Sequence, residues 1–403
     1  MTMDGLRRVP AADLDAVESD PVLEATIRAE IEATGPLTFA RFMELALYDP
    51  DHGYYRGPAR PGREDGDFLT APEAHPIFGR AVARLVSDTW EALDRPAPFR
   101  IREHGAGSGA LADALVGGLQ AEAPDLAGVV RYRAVEAEPN RLVELRSQPR
   151  VGPLVEEDDG TPITGIVIGN EVLDALPTHR VIGSSHGLRE VYTGLVDGRL
   201  ADVGGAPSTP ALEARLAAEG IELAEGQAAE ICLAVDGWVD AAAGGLARGL
   251  LLLVDYGHPA TALYDARRRP HGTFAAYLRH RVHDDPYRAI GRQDLTAHVD
   301  VTAVERAATQ TGLRHLATTT QGRFLAGLGV GDLLVALQQR PATELPAYLE
   351  AKAALIRMID PAAMGRFAVM AFGRDLPAGV SLRGLEATPA VAAAATRTAP
   401  DPT

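Results

Sequence analysis

Glu103-His104-Gly105-Ala106-Gly107-Ser108-Gly109 is the densest chemical signal in the chain. It follows a short apolar run and precedes Leu111, Leu115 and Leu119, so strand, glycine turn and helix come in that order. Glycines in such a turn permit positive φ and let a ligand approach the backbone, while the helix N-terminus offers unpaired N–H groups. Gly105, Gly107 and Ala110 have the spacing of a dinucleotide fingerprint, which would seat a pyrophosphate on the helix dipole. Glu136, in Val135-Glu136-Ala137, suits bidentate bonding to a ribose diol, a task common to any nucleoside ligand. Further acids follow other strand candidates: Asn170-Glu171-Val172-Leu173-Asp174, Asp255-Tyr256, and the block Asp294 to Asp300, where His298 is flanked by two acids. In an open α/β sheet the ligand crevice lies outside the carboxyl ends of the strands, which is where these groups fall.

The elements that must position them are legible as short apolar strands separated by helical segments, the pattern of a parallel sheet with crossover helices. Strands are expected over Phe99 to Glu103, Tyr132 to Glu136, Ile166 to Gly169 and Leu250 to Asp255. Leu250-Leu251-Leu252-Leu253-Val254 is almost purely aliphatic, as a strand covered on both faces should be. A late pair, Arg314 to Thr320 and Phe367 to Phe372, is expected to complete the sheet. The 80 residues between Gly169 and Leu250 exceed one crossover, and Val196-Asp197-Gly198-Arg199 reads as a hairpin inside that insertion. Upstream, Leu23, Ile27 and Ile31 recur at helical spacing until Gly35-Pro36, and Thr38 can cap a second helix. The glycine- and proline-rich stretch from Gly57 to Asp67 reads as a loop, and a long helix follows through Ile77, Val82, Leu85, Val86 and Trp90. The expected organisation is a flexible start over 1–21, an N-terminal helical cap over 22–95, and one α/β domain over 96–387. That domain carries an insertion at about 178–248 and a C-terminal extension, and a tail over 388–403 ends the chain.

Composition narrows the partners. The chain has 403 residues, 46% hydrophobic and 23% charged, which suffices for a packed core and excludes global disorder. Its net charge of −16 argues against nonspecific attachment to nucleic-acid phosphates or anionic lipid and favours a cationic partner. Cys232 is the only cysteine, which excludes an internal disulfide framework and a zinc site of paired thiolates, and points to a reducing compartment. The first 20 residues carry Asp4, Asp13, Asp15, Glu18 and Asp20 where a signal peptide needs an apolar core, and no apolar run is long enough to span a bilayer. The expectation is a cytoplasmic protein with no membrane span and no nucleic-acid partner.

Two families of motif fix the chemistry further. The turn, written E-x-G-x-G-x-G, resembles the first motif of class I S-adenosylmethionine methyltransferases, whose acidic strand-end residue helps organise the methionine ammonium. Glu103 decides between the two cofactors on charge: a carboxylate repels a pyrophosphate and attracts an ammonium and a sulfonium. Longer blocks are more specific. Gly35-Pro36-Leu37-Thr38-Phe39-Ala40-Arg41-Phe42-Met43, Leu47-Tyr48-Asp49-Pro50, His52-Gly53-Tyr54-Tyr55 and Gly66-Asp67-Phe68-Leu69-Thr70-Ala71-Pro72-Glu73 come first. Asn170 to Pro177, Asp255-Tyr256-Gly257, Asp294 to Asp300 and Gln321-Gly322-Arg323-Phe324-Leu325 follow in order. Together they resemble the MidA-type methyltransferases, the family of the mitochondrial complex I assembly arginine methyltransferase, over roughly residues 22 to 330. Two positions depart from the family pattern: His104 stands where an aliphatic residue is usual, and Ser108 where a basic one is usual.

The resemblance implies a Rossmann-like class I methyltransferase sheet with an N-terminal helical cap and inserted substrate-recognition segments. It also implies S-adenosyl-L-methionine as cofactor and protein arginine N-methylation as the reaction. On that reading Glu103, Gly105, Gly107, Gly109, Glu136, Asn170 and Thr70 hold the cofactor. A guanidinium is planar and keeps its charge through methylation, so carboxylates can clamp it. Glu171 and Asp174 are the first candidates for that clamp. Asp255 stands beside Tyr256, whose ring can wall a cation, and His298 is a candidate proton acceptor. No metal is called for. Phe39, Phe42 and Tyr54 read as packing residues, and Asp294 as the cap of a helix running through Ala297. The implied partner is a protein with an accessible arginine, a respiratory-complex subunit being one candidate, and homodimerisation is left open. A small-molecule O- or N-methyltransferase and a catalytically silent assembly factor are the competing readings.

Overall fold

The computed structural model describes residues 9–10, 17–57, 67, 69–339 and 345–386. Most of the start 1–21, loop residues 58–66, Phe68 and the tail 388–403 lie outside the described residues. Asp20 begins the first helix, α1 (Pro21–Thr34), by accepting from the Val22 and Leu23 N–H groups. Thr38 caps α2 (Phe39–Tyr48) in the same way through the Arg41 N–H. A short α3 (Ala71–Ala74) and a long α4 (Ile77–Ala92) follow. Then come β1 (Phe99–His104), α5 (Ala110–Glu122), β2 (Val130–Val135), α6 (Pro139–Ser147) and β3 (Ile163–Asn170). The insertion contributes β4 (His179–Ser184), β5 (Gly187–Val196), β6 (Arg199–Gly205), α7 (Ala211–Ala218) and β7 (Ala228–Ile231). The chain returns through α8 (Ala234–Gly244) and β8 (Leu246–Asp255), and α9 (Val301–Gln310), β9 (Arg314–Thr320) and β10 (Ala368–Arg374) complete the central sheet.

That sheet has six strands in the order β9-β10-β8-β3-β1-β2. The four from β8 to β2 are mutually parallel, β10 runs antiparallel to β8, and β9 runs antiparallel to β10. Every residue from Leu250 to Val254 is buried. Two-sided burial is worth roughly 2 kcal/mol per side chain, which outweighs the fraction of a kcal/mol by which leucine prefers a helix. On one face Val82 and Leu85 of α4 and Leu115 and Val116 of α5 pack over Ile101, Ile166 and Leu252. On the other, Val235 and Val239 of α8 and Val304 and Ala308 of α9 pack over Val167, Leu251 and Leu253. The result is a doubly wound α/β sheet whose parallel strands all end at the same rim.

Several segments differ from the sequence-based expectation. The insertion builds a second sheet, in which β5 pairs with β4 and β6, β4 pairs with β7, and Leu37–Thr38 from the N-terminal segment adds to β5. Its hairpin turns at Asp197 and Gly198, with φ of 50° and 75°, the positive pair that a two-residue turn requires. Helix α8, expected within the insertion, instead packs on α9 and β8 as a crossover of the main sheet. The segment 22–95 also divides. Helices α1 and α2 pack with Phe274 and Leu295, whereas α4 joins the main core. Asp294–Thr296 is a strand paired with Ala275–Leu278, not the start of a helix. The helix begins at Val301, where Asp300 accepts from the Ala303 N–H at 3.1 Å. The C-terminal extension folds Phe324, Leu325, Leu355 and Met358 into the main core.

Candidate active site

A cavity of about 410 Å³ opens at the carboxyl rim of β1, β2 and β3. This is within the range of small-molecule sites. Its floor is the glycine turn. Gly105, Gly107 and Gly109 have φ of 70°, 56° and 79°, a run of left-handed residues that non-glycine side chains resist. A Cβ on Gly105 would fall 2.5 Å from Val172 Cγ1, whereas one on Gly107 would meet nothing closer than 4.0 Å. Gly105 is therefore a packing requirement, and Gly107 keeps the backbone approachable from the cavity. Gly109 lies beneath, against Leu145 and Gln148, and does not line the cavity.

Glu103 is buried in the wall, 2% exposed, and accepts a hydrogen bond from Tyr132 O–H. Burial pushes its carboxyl up to about 7, reinforced by the Glu136 charge and opposed by the Tyr132 bond. A carboxylate held this way lacks a cation, and a ligand ammonium would supply one. Glu136 accepts from the Gly107 N–H and also lines the cavity. Burial raises its carboxyl, with Gly107 and the Arg141 charge pulling the other way. Arg141, in the first turn of α6, and Glu73 of α3 line the same end, and Glu73 accepts from Ser108 O–H across the glycine turn. Thr70 caps α3, with its Oγ1 3.4 Å from the Glu73 N–H, and this short helix closes the cavity from above.

The opposite end is built on the turn after β3. Glu171 lines the cavity with φ of 52°, an unfavourable conformation for a non-glycine residue and a common mark of a functional position. Its N–H donates to Val254 O at 2.8 Å, and its carboxylate accepts from Ala71 N–H at 3.3 Å and Asn170 Nδ2 at 3.2 Å. Asn170 also lines this end, and its Oδ1 is buried without a hydrogen-bond partner among the described residues. Asp255, 1% exposed, holds the turn from below, accepting from the N–H groups of Val172, Leu173 and Asp174 at 3.1, 2.8 and 3.3 Å. Burial and then the Asp174 charge push its carboxyl up, against the pull of those donors. Asp255 is thus a positioning residue that does not reach the cavity. Asp255→Ala should leave the N–H groups that it holds beneath the turn unpaired and cost about 3 kcal/mol, read as a lower denaturant midpoint with an unchanged slope.

Tyr48 and Tyr55 wall this end, with Tyr48 O–H donating to Ala175 O at 3.0 Å. Behind them, Tyr55 O–H donates to Asp294 at 2.8 Å and Tyr256 O–H donates to Asp174. Asp294 is pushed well above the usual carboxylate range by burial, then by Asp174, and Asp174 is pushed by burial to about 6. Asp174 and Asp294 sit behind the cavity wall: Asp294 reaches it through Tyr55, whereas Tyr256, the partner of Asp174, does not line the cavity. His298 is further back: its ring is 5.6 Å from Tyr256 and 5.5 Å from His258, and it does not line the cavity. Phe39, Phe42 and Tyr54 pack in the α1–α2 core, as read from their sequence.

Of the eleven site residues expected from the sequence, Glu103, Gly105, Gly107, Glu136, Asn170, Thr70 and Glu171 meet in one cavity, and Gly109, Asp174, Asp255 and His298 lie outside its lining. Tyr48, Tyr55, Arg141 and Trp238 were not singled out. Tyr48 and Tyr55 belong to the quoted N-terminal blocks, and Arg141 follows Glu136 by five positions, so all three carried a usable signal. Trp238 of α8 reaches the cavity only through the fold.

A buried acid beside an approachable glycine turn, and a second acid at the ribose position, fit an adenosyl sulfonium better than a pyrophosphate. Comparison with known proteins agrees. Residues 81–319 match the family of S-adenosyl-L-methionine-dependent methyltransferases. A Burkholderia thailandensis protein crystallised with S-adenosyl-homocysteine is 32% identical, with TM-score 0.81, covering 93% of this chain and 98% of that one. The "Protein arginine methyltransferase NDUFAF7 homolog, mitochondrial" of Drosophila melanogaster is 29% identical over 92% of this chain and 89% of its own length. The human "Protein arginine methyltransferase NDUFAF7, mitochondrial" is 27% identical over 75% of this chain and 72% of its own. The extent of these matches shows that the chain belongs to the family of S-adenosyl-L-methionine-dependent methyltransferases.

Proposed function

We propose that this methyltransferase acts on the guanidinium of an arginine in a partner protein. The observation that carries the reading is the acceptor end of the cavity. There Glu171 stands beside Tyr48 and Tyr55, with the buried carboxyls of Asp174 and Asp294 directly behind. Such an end favours a planar cation over a neutral or anionic acceptor. The names carried by the relatives point the same way.

S-adenosylmethionine supplies a methyl carbon already activated by its sulfonium. The protein's part is to align and to manage charge. Glu103 and Asn170 Oδ1 receive the ammonium of the amino-acid end, and Glu136 the ribose diol. Glu171 clamps the guanidinium against Tyr48 and Tyr55 and takes the proton released from the nitrogen that becomes methylated. Asp255 keeps Glu171 in place, and Asp294 fixes the Tyr55 hydroxyl.

No helix among the described residues is long and apolar enough to cross a membrane. We infer a cytoplasmic address from the single cysteine, Cys232, whereas the relatives are named mitochondrial. Incubation of the protein with methyl-labelled donor and an extract lacking it, followed by mass spectrometry, is the test. Label on arginine within peptides is the expected result. Label confined to small metabolites would overturn the acceptor assignment in favour of a small-molecule methyltransferase, and no label at all in favour of a silent assembly factor.

A further inference from the structure

One wall of the cavity has a polar atom that nothing in the acceptor reading uses. His104 ends β1 and lines the cavity, yet its Nε2 is buried without a hydrogen-bond partner among the described residues. A buried polar atom left unsatisfied is destabilising, so it persists where a ligand completes it or a function requires it. The ring is fixed. It meets Trp238 of α8 edge-on at 5.1 Å and 60°. Its neighbour across the sheet is Gly169, whose missing side chain leaves space for the indole: a Cβ there would come within 3.2 Å of Trp238 Cη2.

The surroundings say what kind of group completes it. Strand residues alternate faces, so Glu103 and His104 serve opposite faces of β1. Glu103 faces the α5 side, where the ammonium is received, and His104 faces the α8 side. On that side the cavity is lined by Val135, Val172, Leu176 and Trp238, an apolar slot that starts beside the ribose acid Glu136. A heteroaromatic ring attached to a ribose held at Glu136 enters such a slot, and it needs one polar partner on its edge. Burial, with the Arg102 charge, lowers the His104 imidazole to about 4, so it is neutral at physiological pH and can donate or accept according to tautomer.

We propose that His104 reads the edge of the adenine base of the donor, with Nε2 hydrogen-bonded to a ring nitrogen or the exocyclic amine and Trp238 walling the base. This concerns the donor end and rests on the cofactor assignment, not on the identity of the acceptor.

Calorimetric titration with two ligands tests it: S-adenosylhomocysteine, which has both base and amino-acid tail, and 5′-methylthioadenosine, which lacks the tail. His104→Leu should weaken both by the same factor, about tenfold or more, and His104→Gln should recover most of the loss for both. Weakening of S-adenosylhomocysteine alone would assign His104 to the tail and overturn the proposal, as would unchanged affinity for both. Should His104→Leu fail to fold, the wild-type imidazole nitrogen resonances decide: they must shift when 5′-methylthioadenosine is added, and constancy overturns the proposal. Wild-type binding of S-adenosylhomocysteine in the same series checks the cofactor assignment separately.

Discussion

Glu103→Gln should stabilise the free protein at pH 8 while nearly abolishing its affinity for S-adenosylmethionine. Both effects arise from one buried charge. The Glu103 carboxyl stands at about 7 in the folded protein against an ordinary 4.5, because burial disfavours the ion more than Tyr132 O–H favours it. A raised carboxyl binds its proton more tightly in the folded than in the unfolded chain. Its contribution to stability is therefore fully present below pH 4.5 and is lost as pH rises through 7. At pH 8 the loss is on the order of 3 kcal/mol. Glutamine keeps an oxygen to accept from Tyr132 and never ionises, so the variant should escape that loss and melt several degrees higher at pH 8 than wild type, with the gap closing toward pH 5.

Binding moves the other way. An ammonium beside Glu103 favours the carboxylate, so wild-type affinity should rise with pH through about 7 and roughly one proton should be released at pH 6. In Glu103→Gln the affinity should fall on the order of 100-fold and lose that pH step. Titration calorimetry in two buffers of different ionisation enthalpy measures both quantities. An affinity unchanged by the substitution would remove Glu103 from the cofactor site.

Glu171→Gln should lower kcat on the order of 100-fold and leave cofactor affinity within about threefold. The substitution isolates charge from geometry. Glutamine retains an oxygen that can accept from Ala71 N–H and Asn170 Nδ2, and the unusual φ of 52° is held by the Val254 O bond and by the Asp255 carboxylate beneath the turn. What disappears is the negative charge facing the acceptor and the capacity to take its proton. A fall in kcat with little change in cofactor dissociation constant would place Glu171 at the methyl acceptor. Equal loss of both would instead mean that it shapes the cofactor end, and unaltered methylation would exclude it from the chemistry.

The main sheet was readable from sequence because each of its strands is a local statement. Leu250 to Val254 is apolar at every position, and two-sided burial leaves such a run few other uses. The glycine turn was readable for a similar reason, since Gly105 and Gly107 adopt backbone conformations that other residues resist, and Glu103 and Glu136 stand at fixed offsets from strand ends. Asp255 illustrates where local reading stops. A carboxylate after a strand is equally suited to a ligand and to neighbouring N–H groups, and only the path of residues 172–174 beneath β3 gave it the second role. Asp294 went from expected helix cap to strand residue because its pairing partners, Ala275 to Tyr277, lie nearly twenty positions upstream. His298, Tyr48, Tyr55 and Trp238 follow the same rule. Their chemistry depends on which side chains arrive from distant segments, and burial, not residue type, decides whether a carboxyl, phenol or imidazole meets a ligand or the core. Strand positions, the nucleoside-binding turn and the family were thus written in short-range pattern, whereas the division between cavity wall and supporting layer came from long-range packing.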